Sequence, residues 1–222
     1  MFVLIFVIFA FLRGTNLDSV SNIWSVVCSC VNVFFIVLLF LICRGHGGLA
    51  GLINYAKGKT KVRRIVGMTF LILFVGMFGM YLSGFICYGI IPYAPPMMIA
   101  PIPLWLAVVN LFVLPVSTAV AEDSLYLGCG VNQIENKYLS VIVPAFFFAV
   151  QHSFIPFLLD WKFVLYRFLS FLPLTVILCV IYRRNKNPLP IMVGHAIIDL
   201  ATAVQIVLTS GVPGFYEKMC RM

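Results

Sequence analysis

IAPIPLWLAVVNLFVLPVSTAVAEDSLYLGCG, residues Ile99 to Gly130, is a long apolar run that closes on two adjacent carboxylates, Glu122 and Asp123. An ionisable side chain in hydrocarbon costs about 2.5–3.5 kcal/mol even on the lenient scale, so such a residue marks a functional site. The rest of the chain shares this apolar character. Of its 222 residues, 63% are hydrophobic and 10% charged, with a mean hydropathy of +1.09. A soluble domain of that size has too little interior to hide so much apolar surface. The expected fold is an all-α, polytopic membrane helical bundle of about six to seven transmembrane helices.

Upstream, residues 1–98 read as N-terminal membrane helices joined by a basic cytoplasmic loop. Met1 to Leu12 is apolar but only about 18 Å long as a helix, against a hydrocarbon core of about 30 Å. No basic segment precedes it and no small-residue cleavage site follows, so a cleaved signal peptide is not expected. It reads either as a shortened span or as a helix lying against the bundle. Ser19 to Cys43 is the first full span. The loop from Arg44 to Arg64 then carries Arg44, Lys57, Lys59, Lys61, Arg63 and Arg64 with no acid, the strongest cytoplasmic marker in the chain. His46 in this loop reads as solvated. Ile65 to Ile91 is the next span, and the uncharged turn Pro92-Tyr93-Ala94-Pro95-Pro96 suits the outer face.

Residues 99–210 form the core that carries the polar motifs, and 211–222 a short tail. Pro101, Pro103 and Pro115 predict kinks on the way to Glu122. Asn132 to Lys137 marks a return to the interface. Tyr138 to Leu159, Lys162 to Tyr182 and Pro188 to Ser210 are further spans, the second ending in Arg183, Arg184 and Lys186. This order places the connections 44–64, 129–137 and 183–187 on the cytoplasmic side. A straight-helix count puts Glu122 and His195 roughly two turns from that surface and His152 nearer four.

The formal charge of +8 comes from fifteen Lys and Arg against seven acids. The basic residues sit mainly in short loops, so they read as topology signals and lipid-headgroup contacts, and no nucleic-acid partner is expected. The seven cysteines lie mostly in apolar runs without a paired Cys-x-x-Cys pattern, and read as small buried thiols. The ending Met219-Cys220-Arg221-Met222 is not a prenylation box.

Three motifs hold most of the ionisable groups placed in membrane segments. Glu122 and Asp123 differ by about 100° around a helix, so one can face a polar cavity while the other braces a neighbouring helix. Phe148 and His152 are spaced i and i+4, which stacks a ring on the imidazole. His195 and Asp199 share the same spacing, so the carboxylate can orient the ring or both can face one cavity. Each pair alone is as well explained by helix packing. Together, from three different spans, they point to one shared polar site.

The ordered triple resembles the CAAX-protease and bacteriocin-processing family of intramembrane proteases, also called the abortive-infection family. Its motifs are Glu-Glu-x-x-x-Arg, Phe-x-x-x-His and His-x-x-x-Asn or Asp, matched here by Glu122 to Leu127, Phe148 to His152 and His195 to Asp199. The resemblance covers about Ile99 to Ser210. It implies an intramembrane endopeptidase acting on a lipidated or leader-bearing peptide or lipoprotein, in a multi-pass protein of a bacterial cell membrane. Glu122 would be the base that activates water. His152 would help bind the water or the oxyanion, His195 and Asp199 would complete the site beside Asp123, and Phe148 and Tyr126 would support it. A metal-free, cofactor-free mechanism is the favoured expectation. The zinc alternative would use Glu122, His152 and His195, the His₂Glu set of catalytic zinc.

Two positions depart from the family pattern. Asp123 replaces the second glutamate, and Leu127 stands at the arginine position, where it neither pairs with a carboxylate nor donates a hydrogen bond. The departures keep two other readings in view. One is a non-proteolytic member that assists acyl transfer in lipoprotein modification alongside a membrane partner protein. The other is a small proton-coupled transporter using the same titrating groups, against which stands the lack of an internal inverted repeat.

Overall fold

The computed structural model describes residues 2–45, 47–55, 60–91 and 95–220. His46, Lys57, Lys59, the Pro92-Tyr93-Ala94 part of the uncharged turn, and Arg221 and Met222 lie outside the described residues. Among the described residues there are helices and no strand. A short amphipathic start, α1 (Phe2–Arg13) and α2 (Leu17–Ser21), precedes the first long helix α3 (Trp24–Cys43). Asn22 and Ile23 form a turn that separates α2 from α3, so the first span is shorter than the expected Ser19 to Cys43. A single turn of helix, α4 (Gly48–Leu52), leads to α5 (Val62–Tyr88), which stops at Gly89 in the left-handed conformation at φ +70. A 3₁₀ turn, Pro96–Ile99, introduces α6 (Leu104–Asp123), which begins directly after Pro103. There follow α7 (Leu139–Ser153), α8 (Trp161–Asn185), α9 (Leu189–Gly211) and a terminal turn, α10 (Phe215–Cys220).

Five helices are long and apolar enough to cross a membrane: α3, α5, α8, α9 and α6 with its extension to Val131. The shorter apolar helices α1 and α7 fall below that length, so the described residues hold five full-length spans against the six to seven expected. The protein is an integral, multi-pass membrane protein. Side chains such as Phe34, Phe74, Phe112 and Trp105 stand exposed along these helices, which places apolar surface where lipid is the solvent. Helix α1 is a rider on the bundle, too short to span. It buries Phe6 and Ala10 beside Trp24 and Phe157 and leaves Phe11 and Leu12 outward. Of the seven thiols only Cys28 and Cys179 are buried, while Cys30 and Cys220 are exposed and the other three lie between, so the buried-thiol expectation holds for a minority. In a helix surrounded by lipid an outward cysteine such as Cys30 is still in apolar surroundings.

Small residues set the spacing of the helices. A Cβ on Gly79 of α5 would lie 2.5 Å from the carbonyl oxygen of Ser170 on α8, so α5 and α8 touch backbone to backbone there. Ser83 and Ser170 hydrogen-bond across the same contact at 2.6 Å. Between α3 and α6, Asn32 donates to Thr118 at 3.1 Å, and Ser29 donates to Asn110.

The three connections expected on one side do meet at one end. Asn132 donates to the Leu52 carbonyl at 2.9 Å and to the Tyr182 hydroxyl at 2.9 Å. The Tyr182 hydroxyl donates to the Ile53 carbonyl at 2.8 Å, and Lys186 donates to Asn132 at 2.6 Å. The basic clusters therefore share one face of the bundle.

The Gly79 contact makes a direct prediction. Gly79→Ala should lower the thermal unfolding midpoint in detergent, with a loss of about 1–3 kcal/mol from overpacking against a backbone atom that cannot turn away. An unchanged midpoint would mean that α5 and α8 are not this close.

Candidate active site

The site is assembled where α6, α7, α8 and α9 converge. Helix α6 carries Glu122 and Asp123 in its last turn and then widens into a π-helical stretch, Ser124–Val131. Such wide turns are rare and cluster at functional sites. Gly128 and Gly130 fall inside it: a Cβ on Gly130 would lie 2.7 Å from Cγ of Pro144, so the widened turn packs tightly on α7.

Helix α7 ends early. The expected span runs from Tyr138 to Leu159, yet the helix stops at Ser153, three residues before Pro156. Its fifteen residues make about 22 Å of helix, less than the hydrocarbon thickness. His152 therefore sits in the last turn of a broken helix. The straight-helix count that set it two turns deeper than its partners fails, because the three groups meet side by side.

Both oxygens of Glu122 are accounted for by direction. Its Oε1 accepts from Gln151 at 2.7 Å, and Gln151 accepts in turn from the Tyr126 hydroxyl at 2.7 Å. Its Oε2 is buried with no hydrogen bond and lies 3.6 Å from His152 Nε2 and 3.8 Å from His195 Nε2. Contacts of that length are spaced for a bridging water, and catalytic hydrogen bonds are often long before substrate binds.

The two imidazoles are held by different means. His152 Nδ1 is 3.0 Å from the Phe148 carbonyl, a bond that places the proton on Nδ1 and leaves Nε2 facing Glu122. Phe148 stacks on the ring at 4.4 Å and 10°, and Phe171 of α8 contacts it at 4.0 Å. His195 turns Nδ1 to Asp123 Oδ1 at 3.4 Å, while Nε2 is 3.6 Å from Asp199 Oδ2. The adjacent carboxylates have thus divided: Glu122 lines the cavity and Asp123 meets α9 on the other side of the His195 ring.

The cavity between these groups has a volume of about 120 Å³. Glu122, His152, His195, Asp199, Phe148 and Arg167 line its reactive part, and its apolar walls run toward Trp24 and Met98 at the end away from the basic loops. Leu127 does not reach it. That side chain is buried in an apolar cluster with Ile72, Val131 and Leu178, so the surroundings of the departing position are themselves apolar.

Three residues of the site were not picked out by sequence reasoning: Gln151, Phe171 and Arg167. Arg167 is 4% exposed, in the middle of an otherwise apolar helix. A cation there is the signal that could have found it, by the same rule that found Glu122. Gln151 had a weaker signal, an amide next to His152 on an apolar helix.

Zinc would need Glu122, His152 and His195 as ligands. Among the described residues no three His, Cys, Asp or Glu side chains converge in an arrangement that could hold a metal ion.

Residues 103–201 match the family described as type II CAAX prenyl endopeptidase Rce1-like. This segment, somewhat under half of the chain, is what resembles that family. The match spans all five motif residues, Glu122, Asp123, His152, His195 and Asp199, together with Arg167. No curated protein and no solved structure matches the chain.

The Tyr126–Gln151–Glu122 chain of hydrogen bonds can be tested within this family's activity. Gln151→Leu removes the donor that orients Glu122, and peptidase kcat should fall about 10–100-fold, the worth of a hydrogen bond to a charged group. A kcat within twofold of wild type would show that Gln151 does not orient the carboxylate.

Proposed function

We propose that this protein is a glutamate-type intramembrane endopeptidase, with Glu122 as the general base. The observation that carries this reading is Glu122 Oε2: buried, without a hydrogen bond, and facing two imidazole nitrogens at 3.6 and 3.8 Å across a cavity. The cavity volume of about 120 Å³ is well above the ~10–15 Å³ that one water needs on this measure. That is room for a reacting water and its neighbours.

The chemistry follows from the tautomers. With its proton on Nδ1, His152 offers a lone pair at Nε2. A water that donates one hydrogen to Glu122 and the other to His152 keeps an oxygen lone pair for attack on the peptide carbonyl carbon. As the C–O bond forms, Glu122 takes the proton and the carbonyl oxygen becomes an oxyanion. In its doubly protonated form His195 donates from Nδ1 to Asp123 and presents Nε2–H to that oxyanion. Collapse of the intermediate breaks the C–N bond, and Glu122 returns the proton to the departing amine. Asp199 orients His195 from the same helix. No metal is required by this sequence of steps.

The substrate class we propose is a membrane-held peptide bearing a lipid or a leader. A bundle with lipid-facing walls around a buried polar site is suited to a substrate already concentrated in the bilayer.

Glu122→Gln keeps the side chain's shape and removes the base. Cleavage of a quenched lipopeptide library by the purified protein in detergent should fall by at least about 100-fold in this variant. A chelator should leave the wild-type rate unchanged. Retained cleavage in Glu122→Gln, or loss with chelator reversed by zinc, would contradict the reading.

A further inference from the structure

The early end of α7 creates a problem that Arg167 resolves. A helix that stops inside the hydrocarbon leaves its last carbonyls without intrahelical partners, and no water is at hand to satisfy them. Arg167 reaches across from α8 to this broken end. Its Nε donates to the His152 carbonyl at 3.2 Å and its Nη2 donates to the Ile155 carbonyl at 2.8 Å. The planar fork of a guanidinium spans two carbonyls in a fixed geometry, and a cation at a helix C-terminus also matches the dipole.

A second contact ties the same side chain to the imidazole. The guanidinium carbon lies 4.7 Å from the centroid of the Phe171 ring, and Phe171 in turn contacts the His152 ring at 4.0 Å. Arg167 thus grips the backbone of His152 directly and its ring through one aromatic neighbour. Among the described residues it is the one buried Lys or Arg, and it forms no ion pair with the carboxylates that share its cavity. Two of its donors go to the His152 and Ile155 carbonyls.

We propose that Arg167 is the positioning residue of this site: it clamps the broken end of α7 and so fixes the His152 imidazole against Glu122. The kinetic part of this inference rests on the peptidase reading; the placement of His152 does not.

The test uses the full chain in detergent micelles, with histidine rings isotopically labelled for NMR, and the variants Arg167→Gln and Arg167→Lys. The chain has three histidines, His46, His152 and His195, so each ring signal is assignable by single substitution. In Arg167→Gln the His152 signal should shift or broaden while those of His46 and His195 hold. On a cleaved lipopeptide, kcat should fall about 10–100-fold with KM within about threefold, the cost of a reacting group misplaced by about an ångström. Arg167→Lys keeps the charge without the fork, and should recover part of kcat and part of the His152 shift. Should Arg167→Gln not fold, the Lys variant carries the same comparison, with a His152-selective shift expected. An unmoved His152 signal in a folded variant overturns the proposal. So does a loss confined to KM, which would assign Arg167 to substrate, or a shift of all three signals together, which would make it a general brace of the bundle. If no peptide is cut by wild type, the peptidase reading fails while the His152 signal still decides the clamp.

Discussion

A carboxylate buried among hydrocarbon must be met by neighbours that accept its charge or share its proton, and Glu122 imposes that demand on every helix around it. Gln151 answers one oxygen from α7. The imidazoles of His152 and His195 face the other from α7 and α9. Asp123 and Asp199 in turn hold His195 from two sides. None of these groups would be tolerable alone at this depth. Their convergence is the condition for any of them being there, which is why the motifs occur together on separate spans.

The backbone irregularities serve the same end. A continuous α-helix through residues 104–131 would keep its ordinary face spacing past Asp123; the π-helical stretch changes the angular step where Tyr126 and Leu127 are placed. Helix α7 stops short of a full span so that His152 ends beside Glu122 rather than running past it. The broken end then needs donors, and Arg167 supplies two. The broken end of α7 lies against the cavity, where non-helical backbone within a membrane is sheltered by protein.

Much of this was legible in the sequence, and for identifiable reasons. Long apolar runs carry a strong signal for membrane helices, so α3, α5, α6, α8 and α9 were all foreseen near their observed limits. The motif residues stood out because charge is scarce in such runs, and i, i+4 spacing foretold the Phe148–His152 stack. The end of α7 was not foreseen, since Phe154 and Ile155 continue the apolar pattern and only Pro156 marks the break. Nor was the π turn, which no residue pattern announces. Although a cation in an apolar run is itself a signal, Arg167 stood outside the three motifs. Its importance depends on the carbonyls it reaches, and those are exposed only because α7 stops.

The central claim is that water, activated by Glu122, attacks the peptide carbonyl directly. Cleavage of a lipopeptide in ¹⁸O-enriched water, followed by mass spectrometry of both product and protein, tests it most closely. The account predicts one solvent oxygen in the newly formed carboxyl group in a single turnover and a protein of unchanged mass throughout. A protein carrying the acyl fragment, during turnover or after a rapid quench, would contradict it and point to acyl transfer through a side chain.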